Sequence, residues 1–266
     1  MSGEPVTGRA GYGRERGLVS ESVPAALVVP ALTTIVDRVG GVEVLGPDGG
    51  PYRTLRTVEG DRPGGVVRVW RSEAVPRIVY VNLDVRARDL DSHMFYAFAP
   101  AGSAVPHLTL DAVAAHGMHA FHADLMQRVD LATHVAYLDA VYAPLDAVRA
   151  EVDADPETFL PATVPTRGRA MMSPWMLANR LTAETFERAV APSHAYLEHW
   201  LTLVADGLSD DVVASLADTD LAARDALARQ ALFGADIDPA WDMAAALVGA
   251  EPITALRRAM IGRDSL

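Results

Sequence analysis

Between Val42 and Leu125 the chain is written in short apolar runs separated by turn residues, and beyond Leu131 its apolar positions recur every three and four residues. That change of period constrains the fold more than any other feature. A strand repeats every two residues and a helix every 3.6, so one stretch cannot serve both. The β-like runs are Val42–Leu45, Val66–Trp70, Arg77–Val85, His93–Ala99, Leu108–Val113 and Met118–Leu125. Gly46–Pro51, Gly60–Gly65 and Pro100–Gly102 break them. Successive strands with short connections predict an antiparallel meander.

The helical part begins with Val135, Leu138, Val141, Tyr142, Leu145 and Val148, with Pro144 as a kink or restart. Thr182 is a candidate N-cap for a run to Val190, which Pro192 interrupts. Tyr196, Leu197, Trp200, Leu201 and Val204 form a stripe that ends at Gly207. Asp210–Ala217, Leu221–Phe233 and Ile253–Met260 also read as helices. Val23–Val39 fits either a helix starting near Pro24 or a buried strand, and Gly168–Leu181 is a candidate extra strand. Residues 1–20, rich in Gly, Arg and Glu, are expected to be a mobile tail without the apolar segment of a signal peptide. Residues 21–266 are expected to form one α+β domain, helices covering a mostly antiparallel sheet.

Composition removes several chemistries. With no cysteine there is no disulfide, thiolate metal site or protein-held iron–sulfur cluster. All 23 basic residues are arginine, so a Walker A lysine and a pyridoxal phosphate Schiff base are excluded. A formal charge of −12 disfavours nucleic acid and anionic membranes. No stretch reaches the roughly 18 apolar residues of a membrane span, so a cytoplasmic location is expected.

Six of the eight histidines lie between residues 93 and 134. His116, His119 and His122 invite a metal reading. On a strand, however, positions three apart face opposite ways, and His116 and His122 would lie about 20 Å apart. No metal site is expected. In His107–Ala112, alternation puts His107, Thr109 and Asp111 on one face and Leu108, Leu110 and Ala112 on the other. If helices cover both faces, Asp111 borders a cavity, where loss of water would raise its pKa and make it a proton donor. Such a face can also simply be solvated. Asp236, Asp238 and Asp242 sit in a turn-like stretch, where helix capping is the usual role. Arg167, Arg169 and Arg180 flank Ser173-Pro174; an arginine pair facing a pocket binds ligand carboxylates.

Three blocks together resemble red chlorophyll catabolite reductase and, more distantly, the ferredoxin-dependent bilin reductases. The first is Pro106-His-Leu-Thr-Leu-Asp111, followed by Phe121-His-Ala-Asp-Leu125, Arg128-Val-Asp-Leu131 and His134-Val-Ala-Tyr137. The second is Arg169-Ala-Met-Met-Ser-Pro174 with Arg180; the third is Asp236-Ile-Asp238 and the apolar run to Gly249. They span roughly residues 104–262. The resemblance implies an α/β/α sandwich with an open-chain tetrapyrrole between sheet and C-terminal helices. It implies electrons from reduced ferredoxin, no bound cofactor, and protons from acidic side chains. Asp111 matches the family's sheet acid, a Glu in the plant enzymes, and Asp238 its C-terminal acid. His107, Thr109, His122, Arg169 and Arg180 are the expected substrate contacts. Arg68, Arg71, Arg77, Arg86 and Arg88 are candidates for ferredoxin docking. A same-fold enzyme with another conjugated substrate, and a non-catalytic tetrapyrrole or haem binder, are the alternatives. Both a monomer and a homodimer are compatible with the sequence.

Overall fold

The computed structural model describes residues 22–234 and 237–262. The expected N-terminal tail and Asp236 lie outside them. The chain begins with α1, Val23–Arg38, which settles the ambiguous first segment as helix. Ser22 caps it by accepting the Ala25 N–H, and Pro24 occupies the first turn, where no N–H is needed. Pro30 removes one internal bond, yet burial of Val28, Leu32, Ile35 and Val36 along a single face holds the helix together.

The sheet follows as β1 (Val42–Val44), β2 (Arg53–Arg56), β3 (Pro63–Arg71), β4 (Arg77–Val85), β5 (Leu90–Phe98), β6 (His107–Ala115) and β7 (Met118–Met126). Two later strands, β8 (Leu160–Pro161) and β9 (Leu177–Leu181), complete the order β1-β3-β4-β5-β6-β7-β9-β8, with β2 also paired to β3. All pairings are antiparallel. The tightest turn is His116-Gly117, both at positive φ (51° and 75°), the geometry of a two-residue hairpin loop. It pairs Ala115 with Met118 and so sets the register of the whole β6–β7 ladder.

Only the second half of Gly168–Leu181 is a strand. Residues Thr166–Arg169 make a short helical turn, α4, and Pro174, which has no N–H for a ladder, keeps the following loop out of the sheet. The remaining helices are α2 (Val135–Val141), α3 (Asp146–Asp153), α5 (Val190–Asp206), α6 (Asp210–Ala214), α7 (Leu221–Leu232), α8 (Ala240–Val248) and α9 (Ala250–Ile261). None of the described helices is long and apolar enough to cross a membrane.

Alternation divides the core. The odd-numbered positions of β5 and β7, such as Phe95, Phe121 and Leu125, pack with α1, α2 and α5 around Tyr137, Tyr142, Tyr196 and Trp200. The opposite face carries Val67, Val79, Val81, Phe98 and Met126 and is covered by Phe233, Trp241, Ile253, Leu256 and Met260 from the C-terminal helices. The result is the expected α+β sandwich: helices, sheet, helices. Leu32 lies wholly inside the first layer. Leu32→Ala is expected to cost about 2–5 kcal/mol, the range for a buried leucine cavity, measured by urea unfolding.

Candidate active site

The face of the sheet beneath the C-terminal helices is built in rows. Pairing places Tyr96, Thr109 and Asp124 side by side, and in the next row Met94, Asp111, His122 and Ala178. Asp111 Oδ2 accepts from His122 Nδ1 at 2.7 Å, with the two side chains 29% and 16% exposed. The pair therefore sits at the inner wall of a cleft that solvent still reaches. Burial works against a charged His122 ring, but the carboxylates of Asp111, Asp124 and Asp238 outweigh it and hold the pKa above the ordinary 6.5. His122 Nε2 is buried with no hydrogen-bond partner among the described residues.

Asp238 approaches from the roof. It stands two residues before α8, whose N-cap position is Pro239, and its Oδ1 accepts the Ala240 N–H at 2.9 Å in a local turn that leads into the helix. It also lines the same cleft as Asp111 and His122. Tyr96, Phe233, Ile237 and Trp241 supply apolar walls, and Val164, Met172 and Met176 close one side. Phe233 meets Tyr96 edge-on, with ring centroids 5.1 Å apart. Burial, reinforced by the carboxylates of Asp111 and Asp238, raises the Tyr96 pKa and keeps its hydroxyl protonated. The cleft holds about 230 Å³. A second cavity of about 200 Å³, lined by Arg149 and Arg169, adjoins it and shares Ala162, Met176 and Ala178 as walls.

The wall carrying Met172 and Met176 is tied to the sheet by Asp124. Its carboxylate accepts the Ser173 backbone N–H at 2.9 Å and the Ser173 hydroxyl at 2.5 Å. Asp124 is fully buried, and this burial raises its pKa despite His122 and Ser173. In the sequence Asp124 is visible only within the Phe121–Leu125 block, and no motif marks Tyr96. The β5–β6 register, which puts Tyr96 opposite Thr109, is the signal that identifies it.

The other expected contacts spread out. Thr109 is wholly buried under the cleft floor. Arg169 is exposed in the neighbouring cavity, and Arg180 is exposed on β9 opposite Ala120. His107 lies away from the cleft in a buried cluster, where its Nε2–H donates to Asp225 at 2.6 Å and Nδ1 accepts the Ala99 N–H at 3.0 Å. That pattern leaves no room for a second ring proton. Burial, together with Arg128, lowers the His107 pKa to about 4 against the pull of Asp225. His116 falls in the hairpin turn, and His119 faces the opposite layer beside Phe186. Among the described residues no group of metal-binding side chains forms.

No family profile and no curated protein matches the sequence. Among solved structures, one that superimposes well is phytochromobilin synthase from tomato, determined as the selenomethionine protein in complex with biliverdin. The TM-score is 0.66, covering 87% of this chain and 81% of that one at 14% identity. The chain has the fold of phytochromobilin synthase. At that identity the likeness establishes architecture: the same sandwich as phytochromobilin synthase, built from a largely different set of side chains.

The depressed His107 pKa has a consequence for stability. The unfolded chain takes up the imidazole proton near pH 6.5, whereas the folded protein resists until about pH 4. Stability is therefore full above pH 6.5 and is lost as pH falls toward 4. Melting temperatures across that window should drop for the native protein and drop less for His107→Gln. Asp225→Ala, which strands buried arginines, is expected to cost about 3–5 kcal/mol at neutral pH.

Proposed function

We propose that this chain reduces a carbon–carbon double bond of a linear tetrapyrrole, using electrons delivered one at a time by an external iron–sulfur protein of the ferredoxin type. One observation carries the reading: Asp111, His122 and Asp238, from distant parts of the chain, meet in a single apolar-walled cleft. They do so in the fold of a protein solved with biliverdin.

The chemistry follows from the site. A first electron converts the pigment to a radical anion, which is more basic than the parent. In the Asp111–His122 pair the neighbouring carboxylates favour the protonated imidazole, and the pair gives up its proton to the adjacent carbon. A second electron and a second proton complete the change from C=C to CH–CH, and two reduced donor clusters are oxidised. Asp238, on the opposite wall, acts as the second proton port. The resemblance to the plant red chlorophyll catabolite reductases implies that Asp111 stands where those have a longer Glu; in the proposed complex His122 adds contact on the same side.

A cleft of about 230 Å³ is below the range of about 300–1,000 Å³ typical of drug-sized ligands. In the proposed complex the pigment displaces Met176 and occupies both adjoining cavities. The guanidinium groups of Arg149 and Arg169 then meet its carboxylates. Of the arginines considered for donor docking, Arg68 is held by Glu43 and Arg77 donates to the Ala259 carbonyl, both buried. Arg86 and Arg88 are exposed on the turn after β4, paired with Asp84 and Glu59. They are the proposed contacts for an acidic donor.

Anaerobic mixing with biliverdin and reduced ferredoxin, followed by absorbance, tests the reading directly. The native protein should bleach or shift the pigment band over successive turnovers. Asp111→Asn should slow this by about 100-fold or more, the usual yield of a positioned proton donor, while the binding spectrum persists. Because the His122 pKa is raised, the rate should hold through pH 6.5 and fall only above it, and His122→Gln should lose that alkaline limb. Absence of any spectral change with linear tetrapyrroles refutes the assignment; full turnover by Asp111→Asn removes that residue from the mechanism.

A further inference from the structure

Beside the cleft, and separated from it by Leu232, lies a smaller cavity of about 40 Å³ whose polar lining comes from the start of β6, the residues after β7 and α7. Its walls include Arg128, Arg224, Arg229, Gln127, His107 and Asp225. Three guanidinium groups face it. The carboxylate among these walls is that of Asp225, which stands 3.8 Å from Arg128 and 3.8 Å from Arg229. His107, held as the neutral tautomer, adds no charge.

Asp225 is shared between Arg128 and Arg229, and their other hydrogen bonds go to neutral groups, including the His107 ring beside Arg128. Arg128 donates to the carbonyls of Pro100 and Ala101, and Arg229 to that of Met260. The bonds to carbonyls and imidazole cancel no charge, so the single Asp225 carboxylate faces three guanidinium groups. Arg224 Nε is buried and has no hydrogen-bond partner among the described residues. Burial, with Arg77 and Arg128 nearby, draws the Arg229 pKa down to about 10 against the attraction of Asp225. In a chain of net charge −12, this partly open pocket is positive.

We propose that this cavity binds a small free carboxylate anion, of the formate or acetate class. Size and shape select the class. By the same measure a single water takes about 10–15 Å³, so the cavity admits an anion of three or four heavy atoms and excludes sugar acids and nucleotides. A planar carboxylate matches the planar guanidinium fork of Arg224, and its charge offsets the surplus that water leaves standing. Bound there, it links α7 to the chain segments after β5 and β7. The inference does not depend on the tetrapyrrole reading.

Thermal unfolding of the full chain in a gluconate buffer, titrated with sodium formate at constant ionic strength, tests it. The expected result is a saturable rise in melting temperature with formate, a binding isotherm of matching midpoint by titration calorimetry, and loss of both in Arg224→Gln. Arg224→Lys, which keeps the charge without the fork, should weaken binding by about tenfold or more. A formate response no larger than that of gluconate overturns the proposal, as does an undiminished response in Arg224→Gln. If Arg224→Gln fails to fold, the native comparison and Arg224→Lys decide alone.

Discussion

The alignment of β6 with β7 is the constraint on which the rest of the site depends. Because a strand repeats every two residues, a slip of one would send Asp111 and His122 into the aromatic layer beneath α1 and α5. The two-residue turn at His116-Gly117 prevents that slip, since glycine takes the left-handed conformation freely and histidine is among the residues that tolerate it. A carboxylate and an imidazole are thereby set 2.7 Å apart by backbone geometry rather than by flexible side chains.

The cover over this face is held differently. The sheet's first layer packs against long helices rich in large aromatics, whereas α7, α8 and α9 rest on a thinner apolar set and on polar ties. The His107–Asp225 bond and the arginines around it bind α7 to the strands, and Asp124 with Ser173 binds the loop that walls the cleft. Buried polar contacts of this kind are directional. They specify where the cover sits in a way that apolar packing alone does not.

Much of this was legible in the sequence, and the boundary is physical. The six β-like runs correspond to strands, and the alternation in His107–Ala112 placed His107, Thr109 and Asp111 on one face as observed. Alternation gives the face but not the depth. Thr109 lies under the floor, and His107 belongs to a separate cluster, because the depth depends on helices more than 100 residues later in the chain. Asp225 and Arg128 could not be paired from the text at all, since their contact joins segments with no shared period. Val23–Val39 was undecidable because Pro30 and a nearly unbroken apolar run hide the helical stripe that Val28, Leu32 and Ile35 form.

The order of layers along the chain carries a last consequence. The floor of the cleft is synthesised first, most of it as a contiguous meander, and its roof follows only with α7, α8 and α9, from Leu221 onward. A polypeptide ending after α6 would retain its aromatic layer and the complete ladder. It would turn Val67, Val79, Val81, Phe98 and Met126 outward to water. Such a fragment is a sticky half-sandwich, so growth of this protein on the ribosome passes through a stage at which the face carrying Asp111 and His122 is also an aggregation-prone one.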